Sequence, residues 1–385
     1  MEGSILAKII AIISGIIISI VPIHNNTPKN PARLNTPPPA PVVVVERIKT
    51  ATTTKNVSIK RATSTKPISK QTAKQRAAAK VAPLPPPPPV PKILIPLETL
   101  NDQVRAAMVN ILCTTQSGGD FKPISGSGII ISKNGVILTN AHVAQYFLLK
   151  DYGVKNFVSC IARTGSPAQN TYTIDLLYFP NEWLALNAKM IKQENPQGTG
   201  ESDYALLYIT GSATNHSLPD SFSFVTVDPD QKNITGDVPV LLSGYPSGLL
   251  GGIETQTGLW LTTSPAYLTK LYYFNEKEDI DAFSVGANIL AQRGVSGGAA
   301  INQWSGKIEG ILTTITEGAT TGERDLAAIS IAHIDRSFKK NTGKSIDEFL
   351  ILDIQSVYRD FTKNTLPGLV KTLTDVLTGT STPAN

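Results

Sequence analysis

Cysteine is nearly absent, with Cys113 and Cys160 the only two in 385 residues. Two thiols so far apart cannot make a metal site by themselves, and neither a Cys-x-x-Cys nor a His-Glu-x-x-His pattern is present to supply further ligands. No metal is expected. Acidic residues are missing altogether from Arg47 to Lys80, where ten basic residues stand unopposed. Without that stretch the chain changes from 35 basic and 30 acidic residues to 25 and 30. The formal charge of +5 is thus a property of a tail. A nucleic-acid-binding core would carry its positive charge on a folded face, so no nucleic-acid partner is expected.

Charge is also missing from residues 5–23, ILAKIIAIISGIIISIVPI, except at Lys8. At the helical rise such a run can span a bilayer core, with Lys8 reaching one interface. It reads as a retained membrane anchor or a signal peptide. The lack of a small-x-small cleavage site after Ile23 favours the anchor, with the rest of the chain extracytoplasmic, in the cell envelope. Residues 24–97 hold Pro37–Pro39, the basic run and five consecutive prolines at 85–89. Proline removes backbone donors and the lysines repel one another, so this segment is read as a disordered stalk. Ligands for a proline-reading module, or contact with anionic wall polymers, are the other readings of its composition.

Long amphipathic helices do not interleave the middle of the chain, which excludes a βαβ repeat. Short apolar runs bounded by glycine and polar turns take their place: Ala107–Thr114, Gly128–Ser132, Val136–Thr139, Tyr204–Ile209, Pro239–Ser243 and Ile308–Ile315. Their length and β-branched content indicate strands of an all-β sandwich or barrel. After Ile331 the pattern turns helical. Ser345 and Glu348 form a capping box ahead of Leu350, Ile354, Val357 and Phe361 on one face. Pro367 interrupts, and a second apolar stripe runs to Gly379. A tail of this kind docks on its own domain or serves self-association.

One serine lies between glycines, in Gly294-Val295-Ser296-Gly297-Gly298. Glycine lets the backbone approach a substrate carbonyl and aim N–H groups at a developing oxyanion. The pattern also satisfies the Gly-x-Ser-x-Gly elbow of α/β-hydrolases, which needs its acid and then its histidine after the serine, on a parallel sheet. Only His333 follows Ser296, through strand-like sequence. Upstream, His142 closes the run ILTNAHV, preceded by Gly126-Ser127-Gly128-Ile129-Ile130-Ile131-Ser132. These two segments, Asp203-Tyr204-Ala205-Leu206-Leu207 and the turn at Ser296 together resemble the trypsin-like serine proteases, in particular the bacterial HtrA-like branch. The resemblance covers residues 100–335. The helical tail does not resemble the PDZ domain that many HtrA relatives carry.

The resemblance implies two six-stranded antiparallel β-barrels, about residues 98–215 and 222–335, with a Ser296–His142–Asp203 triad in the cleft between them. It implies an oxyanion hole of the Gly294 and Ser296 N–H groups, protein or peptide substrates, and no cofactor. Leu290, six residues before the serine, would line the primary pocket and suit a small or apolar side chain. Cys113 on the first strand and Cys160 on the fourth would be neighbours where the first barrel closes, which admits a disulfide; two buried thiols are the alternative. Val295 and Ala299-Ala300 depart from the family pattern, and residues 179–201 form an insertion. Asp175 is the fallback acid, Ser127 and Ser247 are rival serines read as loop residues, and His24, His216 and His333 lack a motif. A protease-like module that binds peptides without cleaving them, and an esterase on the elbow, are the competing functions.

Overall fold

Strands of three to ten residues separated by glycine and polar turns can satisfy their backbone groups only by pairing with near neighbours, and antiparallel pairing follows. The computed structural model describes residues 93–116, 121–192, 200–230, 232, 234–274, 279–314 and 325–379. The apolar run 5–23 and the stalk as far as residue 92 lie outside them. Among the described residues no helix is long and apolar enough to cross a membrane.

A helix that the strand pattern did not announce opens the described chain: α1, Leu97–Ala107, buries Leu100, Val104 and Ala107 at helical spacing. Ahead of it the chain is already docked, since the Ile95 N–H donates to Gln303 O at 2.8 Å and Gln303 Nε2 donates to Ile95 O at 3.0 Å. Six strands follow: β1 (Met108–Thr115), β2 (Ile124–Ile130), β3 (Val136–Thr139), β4 (Val158–Thr164), β5 (Gln169–Tyr178) and β6 (Ala205–Ser212). They close into an antiparallel barrel in the order β1-β2-β3-β6-β5-β4. The closure brings Cys113 of β1 directly opposite Cys160 of β4, and the two are joined as a disulfide. Between β3 and β4 lies the short helix α2 (Ala141–Ala144), and between β5 and β6 lies α3 (Asn181–Asn187), which occupies the insertion.

The second sheet comprises β7 (Pro239–Gly244), β8 (Thr262–Tyr267), β9 (Lys270–Tyr272), β10 (Ala282–Gly286), β11 (Ala299–Asn302), β12 (Ile308–Thr314) and β13 (Leu326–Ser330), with α4 (Gly252–Thr257) between β7 and β8. The expected six-stranded second barrel is instead a seven-stranded sheet, ordered β8-β7-β11-β12-β13-β10-β9. The extra strand has a local cause. Its two edges, β8 and β9, are one run of chain broken at Leu268 and Thr269. There the Leu268 N–H donates to Val238 O (3.1 Å) on the β7 side, and the Thr269 N–H to Ser284 O (2.8 Å) on the β10 side. A kinked strand thus serves both edges, and buried Leu268 plugs the break.

The C-terminal region is helical: α5 (Ile331–Thr342), α6 (Ile346–Leu350), α7 (Ile354–Asp360), a single π-type turn at Phe361–Thr365, and α8 (Leu366–Thr378). Ser345 and Glu348 form the capping box, but α6 stops after five residues because Asp353 caps a new helix, α7. Pro367 sits in the first turn of α8, where its missing N–H costs nothing. Ile354, Phe361, Leu369 and Leu373 are buried in one cluster with the first barrel. This tail therefore packs on its own domain.

The bridge between β1 and β4 spans 47 residues, and cross-linking a loop of that size constrains the unfolded chain. Replacing both cysteines by serine is expected to cost about 2–4 kcal/mol, read as a lower thermal midpoint, with a comparable loss on reduction of the native protein.

Candidate active site

His142 occupies α2, directly after β3, and Asp203 stands just ahead of β6, the strand beside β3. The pairing of those strands brings two residues 61 positions apart into contact. Asp203 Oδ2 accepts from His142 Nδ1 at 2.8 Å, and Oδ1 accepts the His142 backbone N–H at 2.9 Å. A carboxylate held at both oxygens fixes the ring's plane and tautomer, leaving Nε2 as the outward nitrogen. Asn140, inside the ILTNAHV run, donates from Nδ2 to Asp203 O at 2.9 Å, so backbone and side chain of the acid are both fastened. The Asp203 side chain is 8% exposed and that of His142 is 29% exposed, so the ring faces an opening while its partner is enclosed. Burial disfavours the imidazolium, but the charge of Asp203 and its hydrogen bond outweigh that and hold the His142 pKa above the ordinary 6.5.

The Ser296 turn comes from the other sheet, immediately before β11. Its conformation depends on glycine at two positions. Gly297 has φ +82°, and a β-carbon there would collide with Ser127 O and Thr139 Oγ1. Gly294 has φ +90°, and a β-carbon there would stand 2.6 Å from Tyr245 O and in collision with Ser247 Oγ. Only a residue without a side chain lets the turn lie this close to β2 and β3. The turn is also pinned behind, by Gly297 N–H to Leu312 O (3.0 Å) and Leu312 N–H to Gly298 O (2.7 Å).

Ser127 was expected to be a loop residue, and the structure corrects this. It lies on β2, is wholly buried, and stitches the two halves together. Its N–H donates to Ser296 O (2.8 Å), its hydroxyl donates to Gly294 O (2.7 Å) and accepts the Tyr245 N–H (2.9 Å), and its carbonyl accepts from Thr139 Oγ1 (2.7 Å). With the Gly294 and Ser296 carbonyls so occupied, the N–H groups of the same two residues have no acceptor among the described residues. Two unengaged N–H groups flanking one serine are what an oxyanion site needs. Among the described residues the Ser296 hydroxyl makes no hydrogen bond to the His142 ring. In substrate-free sites that bond is commonly long and tightens when substrate binds.

The remaining candidates fall elsewhere. Leu290 is wholly buried in the core of the second sheet with Ala291 and Val295. Ser247 is beside the turn, with its N–H and hydroxyl both directed at Arg293 O (2.8 and 3.3 Å). Asp175 binds the Tyr358 hydroxyl (2.9 Å) and Lys150 (3.5 Å), not His142. His216 is exposed, and His24 lies outside the described residues. His333 forms a second histidine–carboxylate pair, Nδ1 to Asp281 Oδ1 at 2.7 Å, with Arg336 Nη2 on the same oxygen at 2.8 Å. Burial lowers the His333 pKa in spite of Asp281, so this ring stays neutral near pH 7. No local sequence signal marks the Asp281 pair; Asn140 and Ser127, by contrast, sit inside the two motifs that carry the resemblance.

Residues 126–311, just under half of the chain, match the family model described as the trypsin-like peptidase domain. That segment is therefore similar to trypsin-like peptidase domains. Among solved structures, the chain is similar to the HtrA-type protease AlgW, in a variant with a tripeptide. The identity is 18% and the TM-score 0.40, with 64% of each chain covered. It is also similar to a serine endoprotease from Yersinia pestis, at 21% identity and a TM-score of 0.39, covering 64% of this chain and 67% of that one. The alignment thus spans a little under two thirds of the AlgW chain. No curated protein sequence matches.

Gly297→Ala should destabilise the protein by about 1–3 kcal/mol, measured by chemical denaturation, because the added methyl must displace the Ser127 carbonyl or the Thr139 hydroxyl.

Proposed function

We propose that the chain hydrolyses peptide bonds of proteins through an acyl-enzyme intermediate, with Ser296 as nucleophile, His142 as general base and then acid, and Asp203 as the group that orients the imidazole. The observation that carries the reading is the doubly held Asp203–His142 pair set opposite a glycine-flanked serine turn whose Gly294 and Ser296 N–H groups are unengaged. The Ser296 oxygen adds to the carbonyl carbon while its proton passes to His142 Nε2. The carbonyl oxygen, now negative, takes the two N–H groups. Collapse expels the amine, which leaves with the proton from His142, and water repeats the sequence to release the acid and restore Ser296. Asp203 keeps its charge throughout and stabilises the imidazolium.

The Cys113–Cys160 bond is of the kind that persists in oxidising compartments. Together with the apolar run 5–23, it supports an extracytoplasmic, envelope-anchored enzyme. A peptide-binding module without hydrolysis is the competing reading, and the absent Ser296–His142 hydrogen bond is the observation on its side.

A fluorescent fluorophosphonate separates the two. Labelling of the full chain that disappears in Ser296→Ala and His142→Ala is the expected result; a folded protein that remains unlabelled would leave only the binding reading. The labelling rate should also rise with pH, because His142 must be neutral to accept the proton. Its half-maximum should lie above pH 6.5, in keeping with the raised pKa. Asp203→Asn should move that limb to lower pH and reduce turnover roughly ten-thousandfold.

A further inference from the structure

The two residues flanking Asp203 are tied to one hydroxyl of the C-terminal helix α5. Tyr204 is wholly buried, and its hydroxyl donates to Ser337 Oγ at 3.0 Å. On the other side, Ser202 Oγ lies 3.4 Å from the same Ser337 Oγ and donates to Glu182 Oε1 of α3 at 3.2 Å. One turn further along α5, Asn341 Nδ2 donates to Glu182 Oε1 at 2.5 Å and to the Tyr178 hydroxyl at 3.2 Å. The Tyr178 ring stacks on that of Tyr204, with centroids 5.9 Å apart. Glu182 is the charged group facing this cluster, and the Tyr204 hydroxyl stays neutral because burial raises its pKa.

Ser202 has φ +56°, a left-handed conformation that strains a residue with a side chain and persists only where the surroundings over-determine it. The ties to Ser337 and Glu182 supply part of that determination, beside the backbone bonds from the Asp203 N–H to Gly200 O (3.1 Å) and from the Tyr204 N–H to Ser202 O (2.9 Å). If Ser202 relaxed to negative φ, the peptide plane entering Asp203 would rotate and carry the carboxylate away from the His142 ring. Both hydrogen bonds from His142 to Asp203 require the carboxylate to stay where it is.

We propose that Ser337 is a positioning residue for Asp203: its hydroxyl, gripping Ser202 and Tyr204 together, sets the carboxylate against His142. The matched peptidase segment ends at residue 311, so the support comes from chain beyond it. The proposal rests on the reading of Asp203 as the acid of the site.

The test compares the full-length wild type with Ser337→Ala, Ser337→Thr, Tyr204→Phe and Asp203→Asn by two readouts. One is the NMR titration of the His142 ring, tractable because the chain has four histidines. The other is the fluorophosphonate labelling rate at Ser296. In Ser337→Ala, His142 should titrate at lower pH than in the wild type, in the direction set by Asp203→Asn, and labelling should slow about ten- to a hundredfold. Ser337→Thr, which keeps the hydroxyl, should restore both. Tyr204→Phe, which removes one tie and no packing, should shift the titration the same way by less, and it decides the matter if Ser337→Ala does not fold. A wild-type His142 titration in folded Ser337→Ala, or in Tyr204→Phe should the alanine variant not fold, overturns the proposal whether or not the wild type is labelled. A titration that follows Ser337 in a protein that is never labelled upholds the positioning role while sinking the hydrolytic reading.

Discussion

The site depends on a backbone seam at Ser127. Its N–H and hydroxyl hold the Ser296 and Gly294 carbonyls, and its own carbonyl is held by Thr139, three residues before His142. The serine turn belongs to the second sheet and the histidine to the first barrel, so this seam helps to set how Ser296 and His142 lie relative to each other. It also turns the Gly294 and Ser296 peptides so that their carbonyls point into protein and their N–H groups do not. Orphaning any of these buried groups would cost about 1–3 kcal/mol, a strong reason for the seam to stay closed. The glycines of the turn follow from the same constraint, since two chains stitched backbone to backbone leave no room for a β-carbon.

A second region of the seam is supported by an arginine buried without a carboxylate. Arg163 is 1% exposed and donates Nε to Asn110 Oδ1 at 2.7 Å, Nη1 to Gln256 O at 2.7 Å and Nη2 to Thr255 O at 2.9 Å. The last two are carbonyls at the end of α4, where a cation complements both the unpaired oxygens and the helix dipole. Asn110 in turn donates Nδ2 to Gly126 O at 2.6 Å, one residue before Ser127. The loop that follows β7 and the strand that carries Ser127 are thus braced by one cation, whose burial is offset by three neutral acceptors.

The C-terminal helices act on the opposite side. They bury Ile354, Phe361, Leu369 and Leu373 against the first barrel, enclosing the outer faces of strands that would otherwise meet water. Helix α5 adds Ile331, Ile334 and Phe338 to that cluster and also reaches the segment that bears Asp203. Enclosure by the tail and the hydrogen bonds from Ser202 and Tyr204 to Ser337 belong to the same packing. The His333–Asp281–Arg336 cluster, anchored in α5 as well, holds the start of that helix to β10 through hydrogen bonds from Arg336 to Asp281 and to Ile280 O.

What was legible in the sequence is what short-range pattern encodes. Strand length and β-branching indicated an all-β domain, the capping box at Ser345 and Glu348 announced α6, and the motifs around His142, Asp203 and Ser296 singled out three residues that the fold carries on adjoining elements. Glycine at 294 and 297 was readable because only one residue type suits those backbone angles. Tertiary structure alone decided the rest. The break at Leu268–Thr269 that makes six expected strands into seven depends on which neighbours take each N–H. The helix α1 forms ahead of the first strand because Leu100, Val104 and Ala107 find a core to enter. Ser127, Ser202, Tyr204 and Ser337 acquire their roles from partners that lie from 12 to 167 residues away or further. A hydroxyl has no preference written in its own neighbourhood for a partner that far along the chain; only the closed fold supplies one.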